Sequence, residues 1–130
     1  MSAVLEDKTG APVTIRLDER RAISAYTVHL ADGTLAGRAD FVDPPDADGE
    51  RIFFHTEVDQ EFSGRGLAGL LVREALADSV RRNLTVVPVC PLFAGHLARH
   101  GDEYVANGGA FRRPTRADLA WAARAGLRGG

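Results

Sequence analysis

The sequence predicts a mixed α/β fold: an antiparallel meander, a crossover helix, a parallel strand that splays from its neighbour, and further helices packed on the sheet. Three observations carry that prediction. Alternating and aromatic-rich runs come early and are separated by turn residues. A strongly helix-periodic segment then follows a glycine-rich turn. A nearly all-apolar run comes straight after that helix, as a buried parallel strand does. The 130 residues suit a single domain spanning 1–130. Its core is expected at about 13–107, with an extra C-terminal helix at about 115–125.

The first dozen residues are polar, contain Gly10 and Pro12, and read as a loose lead-in. Ala22 to Leu30 alternates well enough for a strand, and Thr34 to Val42 answers it. Between them Asp32-Gly33 signals a hairpin, a dipeptide able to supply two positive-φ positions. Asp43 to Glu50 holds two prolines, four acids and a glycine, and is a loop. Arg51 to Val58 is a third strand, rich in aromatic and β-branched residues.

Leu67 to Arg82 is the clearest helix. Leu67, Leu70, Leu71, Ala75 and Leu76 share one face. Glu74, Asp78, Arg81 and Arg82 share the other, with Asp78 and Arg82 at i,i+4 spacing. Asn83 suits a left-handed stop. Leu84 to Val89 follows as the apolar strand, parallel to the one before the helix. Pro88 has no N–H for a ladder bond, so pairing on one side fails there and the strands part. Pro91 to Arg99 reads as a short helix with proline at its first position. Thr115 to Asp118 resembles a capping box that opens an alanine-rich helix through Ala125, ended by Gly126.

The stretch richest in chemistry is Glu57 to Ala68. A strand ends, Ser63-Gly64-Arg65-Gly66 turns, and a helix begins at Leu67. The first turn of a helix carries unpaired N–H donors and the positive end of the dipole. Gly64 and Gly66 let that backbone approach an anion with no Cβ in the way. A phosphate-bearing ligand is the expectation.

These residues resemble the GCN5-related N-acetyltransferase superfamily, and more narrowly its minimal subfamily. The motifs are His55-Thr56-Glu57-Val58, then Gly64-Arg65-Gly66-Leu67-Ala68, then Pro88-Val89-Cys90-Pro91, in that order across strand, helix and strand. The likeness spans roughly Ala22 to Tyr104. It implies acetyl-CoA as cosubstrate, with the pyrophosphate on the amides of Ser63, Gly64, Arg65, Gly66, Leu67 and Ala68. Pantetheine would lie between the strands ending at Val58 and Val89. This chain has Ser63 where the broader superfamily usually has Arg or Gln, so a side-chain contact to phosphate is missing.

The candidate chemical groups follow from that frame. A lone cysteine is most often a small core residue. Cys90, however, ends a buried strand just before a helix start, where the dipole favours thiolate. The subfamily pattern marks the same position as catalytic. It either takes the acetyl group or sits beside the thioester during direct attack. His55 and Glu57 share a face of their strand and are candidates to take the amine proton, with ordinary strand residues as the bland alternative. Tyr104 is a candidate proton donor to the departing thiolate, as the resemblance implies. Arg99 is a candidate for the nucleotide end of CoA, though a surface charge is the plainer reading. His96 and His100 stand one turn apart, but without a third ligand no metal site is expected.

The acceptor is expected to be an exposed amine: a protein lysine, a polyamine or another small amine. The helical segments that wall the acceptor site in larger relatives are not visible in the sequence. Two rival readings are a CoA-binding module without catalysis and a redox-active thiol protein, which needs Cys90 exposed. A net charge of −2 gives no basic footprint for nucleic acid. No apolar run approaches the ~20 residues of a membrane span, and no secretory signal is visible, so a cytoplasmic setting is expected.

Overall fold

The computed structural model describes residues 2–129, with side chains over 3–127. Seven strands lie in one sheet in chain order: β1 (Ser2–Glu6), β2 (Pro12–Asp18), β3 (Ala25–Leu30), β4 (Leu35–Val42), β5 (Glu50–Val58), β6 (Thr85–Pro88) and β7 (Ala110–Phe111). The first five pair antiparallel. β6 runs parallel to both β5 and β7. Three α-helices pack on it: α1 (Leu67–Arg81), α2 (Pro91–Ala106) and α3 (Arg116–Gly129).

The meander, crossover helix and parallel strand stand as the sequence predicts. The lead-in does not. Residues 2–18 form a hairpin whose strand β2 sends Val13 and Ile15 into the core. Its polar composition reflects a strand with one wet face, for which burial alternates along β2. The β3–β4 turn also differs. Only Gly33 has positive φ there, and Gly33 N–H donates to the Leu30 carbonyl while Leu30 N–H donates to Thr34. That is a three-residue loop with glycine at its left-handed position.

α1 and α2 cover one face. Leu67, Leu71, Val72, Ala75 and Leu76 of α1 meet Val13, Ile15, Tyr26, Val28, Phe41 and Phe53 of the sheet, with Phe93 and Leu97 of α2 beside them. Asp78, expected on the outer face of α1, is instead buried and accepts the Tyr26 hydroxyl proton. The expected pairing with Arg82 still forms, at 2.7 Å. α1 ends as expected at Asn83, φ 56. Leu84 N–H donates to Ser79 and Asn83 N–H to Val80, which satisfies the last carbonyls.

α2 runs past Arg99 to Ala106 because Gly101 is not a breaker. Phe111 of β7 presses on it, and a Cβ there would lie 2.8 Å from the Phe111 ring. Gly108-Gly109 is a turn against the Tyr104 ring, not a hinge standing free. α3 packs on the opposite face, where Ala122 and Trp121 join Ile52, Val87, Val42, Phe54 and Val89. Its capping box forms as expected, with Thr115 N–H donating to Asp118 at 2.7 Å. Gly126 does not end it; the helix continues to Gly129.

Candidate functional site

Parting of β5 and β6 creates the site. The parallel ladder runs from Glu50↔Thr85 to Phe53↔Pro88 and stops. Beyond it the N–H groups of Val89 and Cys90 both donate to the Phe53 carbonyl, at 3.0 and 2.8 Å. β5 shifts register against β4 at the same level, so that Asp40 faces His55 and Phe41 faces Phe53. This bulge bends β5 away from β6. From Phe54 to Val58, β5 keeps β4 on one edge and has no strand on the other. The result is a slot with one free strand edge, as Pro88 foretold.

The slot leads to the glycine turn. Gly64 and Gly66 adopt φ 82 and 77, conformations that glycine takes at little cost. The first bond of α1 is Leu70 N–H to the Gly66 carbonyl. The amides from Gly64 to Gly69 therefore have no acceptor among the described residues. A Cβ on Gly64 would meet nothing within 4 Å. The turn thus offers free donors and open space together, which is what a pyrophosphate needs.

The unforeseen β1–β2 hairpin holds this turn. Asp7 is shielded from solvent and accepts from Thr9 and Ala11 within its own loop and from Arg65 Nε at 2.6 Å. The Thr9 hydroxyl, and after it the Arg65 guanidinium, hold its carboxyl well below the usual range against the opposing effect of burial. Lys8 N–H donates to the Arg65 carbonyl at 3.0 Å. The stem of Lys8, the only lysine in the chain, passes over Gly66. Arg65 is thus tied back to the hairpin.

At the floor of the slot, Cys90 caps α2 and is 3% exposed. Its Sγ lies 3.4 Å from Thr56 Oγ1. Thr56 is a neighbour that strand periodicity places on this face but that sequence reading gave no role. Phe53 and Phe93 stack at 4.3 Å beneath, fixing the start of α2. The exposure that a redox-active thiol requires is not present.

His55 and Glu57 point to the other face of β5, opposite Asp40 and Arg38 of β4. Arg38 donates to Glu57 at 2.7 Å and to Asp40 at 3.1 Å, and His55 Nε2 lies 3.5 Å from Glu57. The Arg38 hydrogen bond holds the Glu57 carboxyl below its ordinary value. Burial raises that of Asp40, and Arg38 only partly opposes it. Asp40 therefore joins the candidate bases. No sequence signal named it, because the Arg38-x-Asp40 and His55-x-Glu57 pairs meet only once the bulged register is known. Among the described residues neither His55 nor Glu57 bonds to Cys90. The two sets lie on opposite faces of β5.

Tyr104 does not reach the slot. Its hydroxyl donates to the Leu76 carbonyl of α1 at 3.1 Å, and burial pushes its pKa up to about 12. α3 covers the face over Ile52 and Phe54, while the His55 and Glu57 side chains remain about half exposed, at 49% and 55%. No helix among the described residues is long and apolar enough to cross a membrane.

A family model described as GCN5-related N-acetyl-transferase matches residues 25–107. The match takes in β3 to α2, and so the glycine turn, the slot and Cys90. The β1–β2 hairpin and α3 lie outside it. No curated protein matches the chain.

Proposed function

The chain belongs to the GCN5-related N-acetyltransferase family, and on that footing we propose that it moves an acetyl group from acetyl-CoA to an exposed amine. One observation carries the reading: the free edge of β5 leads directly to a turn of unpaired amides. The amides of Gly64 to Ala68 hold the pyrophosphate, while that of Ser63, expected to join them, already donates to the Gln60 carbonyl. The backbone edge from Val58 back to Phe54 pairs with the amides of pantetheine, as it would with an added strand. The thioester then lies in the slot, with Cys90 and Thr56 on one side and His55 and Glu57 on the other.

Cys90 serves by one of two routes. Its thiolate attacks the acetyl carbonyl, the carbon–sulfur bond to CoA breaks, and CoA leaves as thiolate; the amine then takes the acetyl group from the cysteine. Alternatively the amine attacks the thioester directly beside Cys90, and Glu57 or His55 accepts the amine proton. Arg38 bridges buried Asp40 and exposed Glu57 at this end, and Glu57 faces solvent. An extended cationic amine, a protein lysine or a polyamine, suits it better than an enclosed metabolite. A cytoplasmic setting accords with a lone unpaired thiol.

A second reading, a CoA-binding module without catalysis, is favoured by the Arg38–Glu57 pair, which makes Glu57 a weaker base. Thermal unfolding titrated with acetyl-CoA, with ATP as the control, tests the ligand shared by both. At ~100 times the dissociation constant the stability should rise by about 2.7 kcal/mol. For a chain of this size that is a shift of roughly 10 °C. No rise at millimolar acetyl-CoA overturns both readings.

A further inference from the structure

We propose that β1 is a dimerisation edge: two copies of this chain pair their β1 strands antiparallel about a two-fold axis at Val4, which joins the two sheets into one. The inference stands apart from the acetyl-CoA reading. The β1–β2 hairpin lies outside the part of the chain that the family model matches.

β1 pairs with β2 on one side and ends the sheet on the other. Its hydrogen-bonding phase is fixed. Asp7 N–H donates to the Ala11 carbonyl, toward β2. Backbone groups alternate in direction along a strand, so Leu5 and Ala3 also face β2, while Glu6, Val4 and Ser2 turn theirs outward. Pro12, which has no N–H, stands opposite Glu6, as that phase requires. Edge strands are ordinarily guarded by lysine, proline or a bulge. β1 reads Ser-Ala-Val-Leu-Glu in unbroken register and has none of these, and Val4 at its centre is 73% exposed. The opposite edge, β7, has two residues.

Self-complementarity names the occupant. With the axis at Val4, Val4 exchanges both backbone bonds with Val4 of the second copy, and Ser2 does so with Glu6 of the second copy. All the outward groups of the strand are then satisfied. The two valines meet on the outer face of the joined sheet. Charge agrees with this register. Arg16 of β2 stands opposite Ser2, two strand steps from Glu6 of the second copy and on the same face. Strands lie ~4.8 Å apart, and an extended arginine and glutamate together cover the resulting ~10 Å. Arg16 and Glu6 are both exposed, and among the described residues neither has an ion-pair partner within 4 Å. The same axis holds the two Glu6 side chains at opposite ends of the junction, so no like charges meet.

The inner face adds a second fit. A cavity of about 260 Å³ opens there, lined by Ala3, Ile15, Leu17 and Tyr26 of the sheet and by Glu74 and Arg81 of α1. α1 packs chiefly over β3, β4 and β5, which leaves this inner rim of the hairpin uncovered. In the paired register Leu5 of the second copy stands opposite Ala3 and brings an apolar side chain to the rim of the cavity. Pairing also fixes the strand that leads straight into Asp7 and Lys8, the residues that hold Arg65 and with it the glycine turn.

Sedimentation equilibrium over a dilution series of the full chain tests this, with circular dichroism to verify folding and no ligand present. The unmodified protein should reach twice its 14.0 kDa mass at high concentration and dissociate reversibly on dilution. Val4→Lys places two ammonium groups across the axis and should weaken association at least about tenfold. Val4→Pro removes only an outward N–H, which an edge strand tolerates, and should do the same. Glu6→Arg and Arg16→Glu should each weaken association severalfold. The double variant exchanges the signs and should return to within about threefold of the unmodified protein. A monomer at every concentration overturns the proposal and leaves the edge to an extended segment of another protein or to none. A dimer that both Val4 variants leave unchanged forms through another face and also overturns it. A double variant that associates no better than the single ones overturns the Val4-centred pairing, and the proposal with it. None of these outcomes touches the acetyl-CoA reading.

Discussion

Replacing Gly64 by alanine separates a phosphate cradle from an ordinary tight turn, because the fold supplies a matched control. Gly64 has φ 82 and Gly33 has φ 89, and a Cβ built on either meets nothing within 4 Å. Alanine at each therefore costs only left-handed backbone strain, about 1–2 kcal/mol. For a chain of this length that lowers the melting temperature by roughly 4–8 °C, similarly at both sites. Ligand binding should divide them. The Gly64 methyl enters the space above the free amides and forces the pyrophosphate back. Each charged hydrogen bond lost there is worth about 1.5–3 kcal/mol, so CoA affinity should fall about tenfold to a hundredfold. Gly33 lies in the β3–β4 turn, away from the glycine turn, and its variant should bind CoA as the unmodified protein does. Calorimetry on the three proteins, with scanning fluorimetry for stability, gives both quantities. Parallel loss of affinity in the two variants, or none in Gly64→Ala, refutes the cradle.

Cys90→Ala should reduce acetyl transfer to a polyamine by at least about a hundredfold while CoA affinity stays within about twofold; an unchanged rate in steady-state assays removes Cys90 from the chemistry. Tyr104→Phe should cost about 1 kcal/mol of stability through its lost bond to Leu76, with the transfer rate unaffected, whereas a hundredfold drop in rate would restore it as a proton donor. Arg112 pairs with Glu50 and Asp118 and holds the Asp118 carboxyl down to about 2, below its ordinary 3.8. The folded pKa being lower, that contribution is complete above pH 3.8 and lost as pH falls through about 2. Fluorescence of Trp121, the chain's one tryptophan, should report α3 loosening in that window, and Arg112→Gln should move the change to higher pH.

What the sequence revealed and what it concealed follow one physical division. Local signals survived. The helix period from Leu67, the left-handed stop at Asn83, the Thr115–Asp118 box and the missing donor at Pro88 each act within a few residues, and each is present in the fold. So is the glycine turn, whose positive-φ positions fall on Gly64 and Gly66. Features set by distant partners were hidden. The helix from Pro91 reads as ending at Arg99 but runs to Ala106, where Gly101 leaves room for Phe111, ten positions on. Asp78 looks solvated until Tyr26 arrives from across the core. Asp7 looks like part of a loose start until Arg65 binds it across 58 residues and makes the first hairpin a brace for the glycine turn. The chemical groups divide in the same way. Cys90 was named from its place before Pro91, a local fact, whereas its partner Thr56 emerged only when two strands parted beside them. Arg73 and Arg99 carry that logic furthest. Each folds back over a glycine within its own helix, but a shared groove exists only because α1 and α2 lie side by side on the same face of the sheet. Pairwise placement thus sets residues that look like ordinary surface charge along one groove.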